Sequence, residues 1–280
     1  MTDSLKDTLK ELAEKYEVAS FCDADPSQFL RWYNPLVEEN RADVEACSFI
    51  AAMLAFGNRK QFIPKIASIM ELADKTSGSI SKWLVSGAYK ESFSKSENKF
   101  YRFYSYNDMH DFFGDLAELL REGDRGGLGA SFQLRFNQAV EEFNAIYDET
   151  SKNGGKLSKL QRPILADVVS AAFPHASIVP KGKNTANKRI HMFLRWMVRS
   201  GSPVDLGFWS WYSPAELLIP LDVHVMEEGI RLGALPENAR ATRKTAIQLT
   251  QSLKEIWPTD PCKGDFALFG LGVDSDNSKK

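Results

Sequence analysis

The stretch that most constrains this chain is Val44 to Ala55. Val44, Cys47, Phe49, Ile50, Ala51, Ala52, Met53 and Leu54 leave almost no polar side on a helix. A helix that is apolar nearly all round must be buried at the centre of a fold. Asp43 is a suitable N-cap for it, and Gly57-Asn58 ends it. A second helix over Gln61–Ala73 follows, with Phe62, Ile66, Ile69, Met70 and Ala73 on one face. The intervening turn, Phe56 to Lys60, combines bare backbone with the charges of Arg59 and Lys60. It is either a plain helix connector or a ligand-facing loop.

The rest of the chain reads as helices too. Leu5, Leu9, Leu12 and Ala13 recur at helical spacing near the N-terminus, and the polar break Asp23 to Ser27 ends in a helix cap. Residues 99–113 hold seven Phe or Tyr in fifteen positions. Stacking on unpaired bases is one use of such a run, but aromatics at helical spacing are core material far more often. Gly123 to Gly127 is a turn, and Ser131 caps a helix running through about Thr150. Residues 151–156 form a flexible link, and residues 157–173 a further helix closed by Pro174. No segment carries strand alternation, a hairpin signal or a fixed-period repeat. The fold class expected is all-α, with about ten to twelve helices.

Composition narrows the function classes. A hydrophobic content of 43% supports a real core, and 280 residues allow one large domain or two lobes. Cys22, Cys47 and Cys262 form no close pair, so neither a disulfide framework nor a four-cysteine metal site is supported. No apolar run reaches membrane-spanning length and no signal-peptide pattern opens the chain, so a soluble, cytoplasmic protein is expected. The net charge of −2 argues against a general nucleic-acid coat. From Val168 to Val204, however, there is no Asp or Glu, while Lys181, Lys183, Lys188, Arg189, Arg195 and Arg199 fall in that window. One local basic window is either a solvated face or a surface for one anionic ligand.

Within that window Asn184 or Thr185 can cap a helix whose first turn contains Lys188. Ile190, Phe193, Leu194 and Met197 would form its buried face, with Arg195 and Arg199 off it. The helix dipole repels an ammonium at that end and so favours a nucleophilic neutral amine. A basic loop at a helix start also presents N–H groups to a phosphate. Ser213-Pro214 opens a short helix that ends at Pro220, and Asp222 then precedes a helix over Val223–Leu232, closed by Gly233. The simplest explanation of Asp222 is an N-cap. Its place 34 positions after Lys188 suggests an amine with a carboxylate to steady developing positive charge. His224 can act as a base or simply pack, and His191 can touch a phosphate. Neither His110 nor His175 has a partner at ligand spacing, so no metal is expected. Trp196, Trp209 and Trp211 are read as packing residues.

Residues 43–73, taken with Leu221-Asp222-Val223-His224-Val225 and Arg231-Leu232-Gly233, resemble the helix-hairpin-helix DNA glycosylase superfamily. The long interval from lysine to aspartate is most similar to the archaeal-type 8-oxoguanine DNA glycosylases. The whole chain also resembles an uncharacterised bacterial family. The superfamily's Leu-Pro-Gly hairpin loop is missing here, with residues 180–184 its nearest substitute, and the four-cysteine iron–sulfur cluster of some members is absent.

The resemblance implies a two-lobed helical bundle over residues 1–272, with the cleft between the lobes. One lobe covers about 40–155, the other about 157–272 with the N-terminal helices, and 273–280 form a disordered tail. It implies a DNA glycosylase and AP lyase removing an oxidised purine from double-stranded DNA, acting as a monomer without cofactor. Lys188 would attack C1′ of a flipped-out nucleotide, assisted by Asp222; Lys183 is the other candidate nucleophile. Asp265 and Phe269, one helical turn apart, would read the damaged base together with Asn58 and Met192. Lys181, Lys183, Arg189 and Arg195 would contact phosphates. Two other classes remain open: a non-catalytic helical DNA-binding or interaction module, and an enzyme acting on glycosyl bonds of RNA or free nucleosides.

Overall fold

A computed structural model describes residues 1–153 and 162–277. The chain is 65% helix and 3% strand, an all-α fold. Twelve α-helices lie among the described residues. They are α1 Asp3–Tyr16, α2 Arg41–Leu54, α3 Arg59–Ser77, α4 Ile80–Ser86, α5 Tyr89–Ser92, α6 Tyr106–Gly123, α7 Gly127–Lys152, α8 Leu165–Ala171, α9 Lys188–Val198, α10 Val223–Arg231, α11 Arg243–Lys254 and α12 Lys263–Asn277. Among the described residues none is long and apolar enough to cross a membrane.

Several helix ends differ from the sequence reading, each for a local reason. α2 begins at Arg41 because a 3-10 turn, Glu38–Asn40, feeds it; Asp43 sits in its first turn and accepts from the Ser81 amide at 2.8 Å. α3 begins at Arg59 because the Asn58 side chain accepts from the Lys60 amide at 2.9 Å. α7 begins at Gly127 and not at Ser131, and it continues into the expected link; residues 154–161 lie outside the described residues. Ser213 caps a single 3-10 turn, Pro214–Glu216. α12 stays helical to Asn277, past the expected start of the tail at 273. A small antiparallel hairpin, β1 Lys99–Tyr101 with β2 Tyr104–Ser105, corrects the expectation of no strand pairing. Its reversal uses Arg102 at a positive φ of 52°, and its aromatic-rich sequence hides the usual alternation.

The chain divides into two compact units. Residues 36–47 and 67–181 make the second. Its core is aromatic: Phe93 and Phe113 meet edge-on at 4.9 Å, Trp83 and Phe113 at 5.2 Å, and Phe93 and Phe100 at 5.2 Å. The dense run at 99–113 is therefore mostly interior, although Phe103 is exposed. His175 bonds to the buried Asp115 carboxylate at 2.7 Å.

Residues 1–35, 48–66 and 182–280 make the first unit. Residues 48–66, read from sequence as part of the 40–155 lobe, group here, where Phe49 meets Phe193 edge-on at 4.9 Å. Leu9, Leu221, Val225, Leu249, Leu253 and Leu268 belong to one buried cluster. α1 packs along α12 closely enough that a Cβ on Gly270 would overlap the Tyr16 ring. Trp196 and Trp209 are buried as expected.

The expectation for α9 is corrected. Arg195 and Arg199 do not lie off its buried face; both are among the least exposed residues of the chain. Asp205 bridges them, at 3.3 Å from Arg195 Nε and 2.5 Å from Arg199 Nη1. Arg199 also pairs with Glu17 at 2.9 Å and Asp260 at 2.7 Å, and Arg195 with Asp265. Both guanidiniums lie over the Phe266 ring, at 4.3 and 5.3 Å. Buried charges persist only when paired in this way, and removing one partner strands the others. Asp205→Ala is therefore expected to lower the unfolding free energy by about 3–5 kcal/mol. Urea denaturation measures it, and a loss below about 1 kcal/mol, the surface-pair range, would mean the network contributes little.

Candidate active site

α9 starts at Lys188 itself. The residue before it, Asn187, takes a left-handed conformation (φ 44°) and turns its side chain back onto the loop, donating to the Gly182 carbonyl at 2.9 Å and accepting from Thr185 at 2.5 Å. Neither Asn184 nor Thr185 caps the helix: Thr185 forms an isolated bridge with Thr242, and the Asn184 carbonyl accepts from the Arg243 amide at 3.0 Å. α10 starts after Asp222, whose Oδ1 accepts from the Val225 amide at 3.0 Å, as a cap should. Its Oδ2 lies 3.7 Å from Lys188 Nζ. Asp222 is thus both a helix cap and the partner of the lysine. The two side chains keep 27% and 21% of their exposure, so both stay reachable.

They face a cavity of about 430 Å³, within the size range of small-molecule sites. Every residue lining it belongs to the first unit. Phe269 is its apolar wall, with the edges of Phe21 and His224 at 5.9 and 6.3 Å and Lys188 Nζ at 6.0 Å. Asp25, Arg59, Arg189 and Gly57 complete the parts that matter here. A smaller space of about 20 Å³, room for about one water, shares Asp25, Lys188 and Phe269 and adds Met192, Arg195 and Asp265. Among the described residues no group of three or more His, Cys, Asp or Glu is placed to hold a metal ion.

Lys188, Asp222, Phe269 and Met192 thus converge as the sequence suggested. Other assignments change. Arg195 cannot meet a phosphate, because it is buried on Asp205 and Asp265. In the second unit, Lys181 donates to the carbonyls of Ser170, at 2.9 Å, and Phe173, closing the end of α8; burial holds its pKa below the ordinary lysine value. Arg189 lines the cavity but donates to the Met53 carbonyl and lies 4.9 Å over the Phe56 ring. Lys183 is exposed on the loop and does not line the cavity. Asn58 caps α3 and is not part of the lining, whereas its neighbours Gly57 and Arg59 are. His191 is buried and out of reach of a phosphate. Sequence reasoning passed over Asp25 and Arg59. The charged turn at 56–60 was a signal for Arg59; Asp25 carried only the signal of a cap before Pro26.

Asp265 is buried, so it can meet a ligand only through the small space behind Lys188. Burial pushes its carboxyl up to about 6, with the Asp222 charge adding and Arg195 and Lys188 opposing. A folded-state pKa above the ordinary value favours folding at low pH, and that contribution is lost as pH rises through about 6. Asp265→Asn, neutral throughout, is therefore expected to gain on the wild type by on the order of 2 kcal/mol between about pH 4 and pH 7. Paired urea denaturation across that range tests this; a constant difference contradicts it.

No curated protein and no solved structure matches the chain. A family model described as a protein of unknown function (DUF2400) matches residues 25–274. That span is well over half of the chain, and the protein belongs to this family.

Proposed function

We propose that the protein is a DNA glycosylase with an associated lyase step, acting on an oxidised purine in double-stranded DNA. The observation that carries this reading is the amine of Lys188 at 3.7 Å from the Asp222 carboxylate, both on a partly open cavity with an aromatic wall. Lys188, Arg189 and Arg59 outnumber Asp25 and Asp222 on that wall, and the resulting positive excess suits an anionic strand.

The chemistry follows from those groups. A nucleotide is rotated out of the helix so that its base enters the cavity. Asp222 first takes one proton from the Lys188 ammonium; the freed Nζ lone pair then attacks C1′ while the C1′–N9 electron pair leaves with the base, which takes up that proton. Asp222 stabilises the positive charge on the sugar as that bond opens and accepts the proton the new ammonium sheds. Opening of the sugar ring gives an iminium between Lys188 and C1′. Loss of a C2′ proton then expels the 3′ phosphate by β-elimination, and water releases the lysine. Phe269 supplies the face against which the base packs.

Borohydride reduces such an iminium to a stable amine and so traps the enzyme on its substrate. On a duplex carrying 8-oxoguanine, the wild type is expected to form a covalent adduct. Lys188→Ala should abolish it, and Lys183→Ala should retain it. Asp222→Asn keeps a side chain that caps helices equally well, yet should lower the rate by about 100-fold or more. Duplex binding with no adduct, on this lesion or on an abasic site, would replace the enzyme reading with that of a non-catalytic DNA-binding module. Turnover of free nucleosides without a duplex would favour a nucleoside enzyme.

A further inference from the structure

Two residues on the cavity wall have no part in the bond-breaking steps above. Asp25 and Arg59 both line the space that Lys188 and Asp222 face. The Asp25 side chain keeps only 10% of its exposure. Its Oδ1 accepts from the Ser27 amide at 3.0 Å. Its Oδ2 lies 3.8 Å from Arg59 Nη2, too far for a hydrogen bond, and meets no other partner among the described residues. A carboxylate has about four acceptor positions, and Asp25 stands on the cavity lining, where a ligand can reach those that remain. Arg195, across the smaller space, is turned onto Asp205 and Asp265. Beside this open acceptor stands the donor fork of Arg59, its guanidinium 5.5 Å over the Phe269 ring.

The chemistry of this pair selects its ligand. A phosphate is repelled by the carboxylate, and a metal ion by the guanidinium. What fits is a flat group with N–H donors next to a carbonyl oxygen, packed along an aromatic wall.

We infer that Asp25 and Arg59 are specificity-determining residues that read the edge of a 2-amino-6-oxopurine. Asp25 accepts from the ring N1–H and the exocyclic amine, and Arg59 donates to the 6-oxo group. This rests on the proposed glycosylase function and goes beyond it by assigning the reading of the base to two named side chains. A 6-aminopurine would turn a donor towards Arg59 and an acceptor, N1, towards Asp25. Sites built around such hydrogen bonds reject ligands that leave their buried groups unpaired.

The test is single-turnover excision from three duplexes carrying 8-oxoguanine, 8-oxohypoxanthine (which lacks the exocyclic amine) or 8-oxoadenine. Wild type, Asp25→Asn and Arg59→Ala are compared. Asparagine caps as well as aspartate, so the turn at Ser27 is kept. The wild type is expected to release 8-oxoguanine at least about tenfold faster than 8-oxohypoxanthine, and Asp25→Asn to bring that ratio below about threefold. Arg59→Ala should instead shrink the preference for 8-oxohypoxanthine over 8-oxoadenine, which differ at position 6. If rates fall in both variants while the ratios hold, the pair serves folding or chemistry and the inference is wrong, though the glycosylase reading stands. If the wild type releases none of the three and gives no borohydride adduct on an abasic duplex, the glycosylase reading fails and takes this inference with it.

Discussion

The first unit depends on one buried arrangement of charge. Asp205 holds Arg195 and Arg199 at once, Arg199 reaches on to Glu17 and Asp260, and Arg195 to Asp265. Glu17 is the residue that ends α1, Asp260 lies just before α12, and Asp265 sits in the first turn of α12. Arg195 stands on α9 and Arg199 is the residue that caps its end, so segments distant in sequence are joined to that helix by charge-assisted bonds. Such bonds are directional and, inside a protein, costly to break. These bonds constrain the rotation of α9 about its axis.

That rotation bears on the candidate site, because Lys188 is the first residue of the same helix. With Arg195 turned inward, two turns earlier on α9 Lys188 comes out beside Asp222. Asp222 in turn is held by its own cap bond to Val225. One carboxyl oxygen is committed to the backbone and the other faces the lysine. A residue with two duties explains why reading Asp222 as a cap and reading it as a functional group are compatible.

The site also separates its carboxylates by environment. Asp222 is partly open beside Lys188, Asp265 is buried behind it against Arg195, and Asp25 is buried beside Arg59 with one oxygen short of donors. In the reading proposed, the first handles charge on the sugar and the third reads the base. Asp265 is paired with Arg195 and borders the small space behind Lys188.

The sequence by itself determined much of this. The all-α class was legible because helical periodicity and caps are local signals. The Asp222 cap, the α10 helix and the closing Gly233 (φ 75°) were read almost to the residue. The approach of Lys188 to Asp222 followed from two helix starts at a suggestive interval. Only the tertiary structure decided which cations were free. Arg195, Arg199 and Lys181 look like a basic surface in one dimension, because a charge is counted as polar whatever it meets. Asp205 is near in sequence, but Glu17, Asp260 and Asp265 lie far along the chain and the carbonyls that Lys181 meets are at a helix end, so burial could not be read locally. The same reason hid Asp25 and Arg59. Each looks like ordinary cap or turn chemistry, and only folding places a carboxylate short of donors beside a guanidinium in the cavity that Lys188 faces.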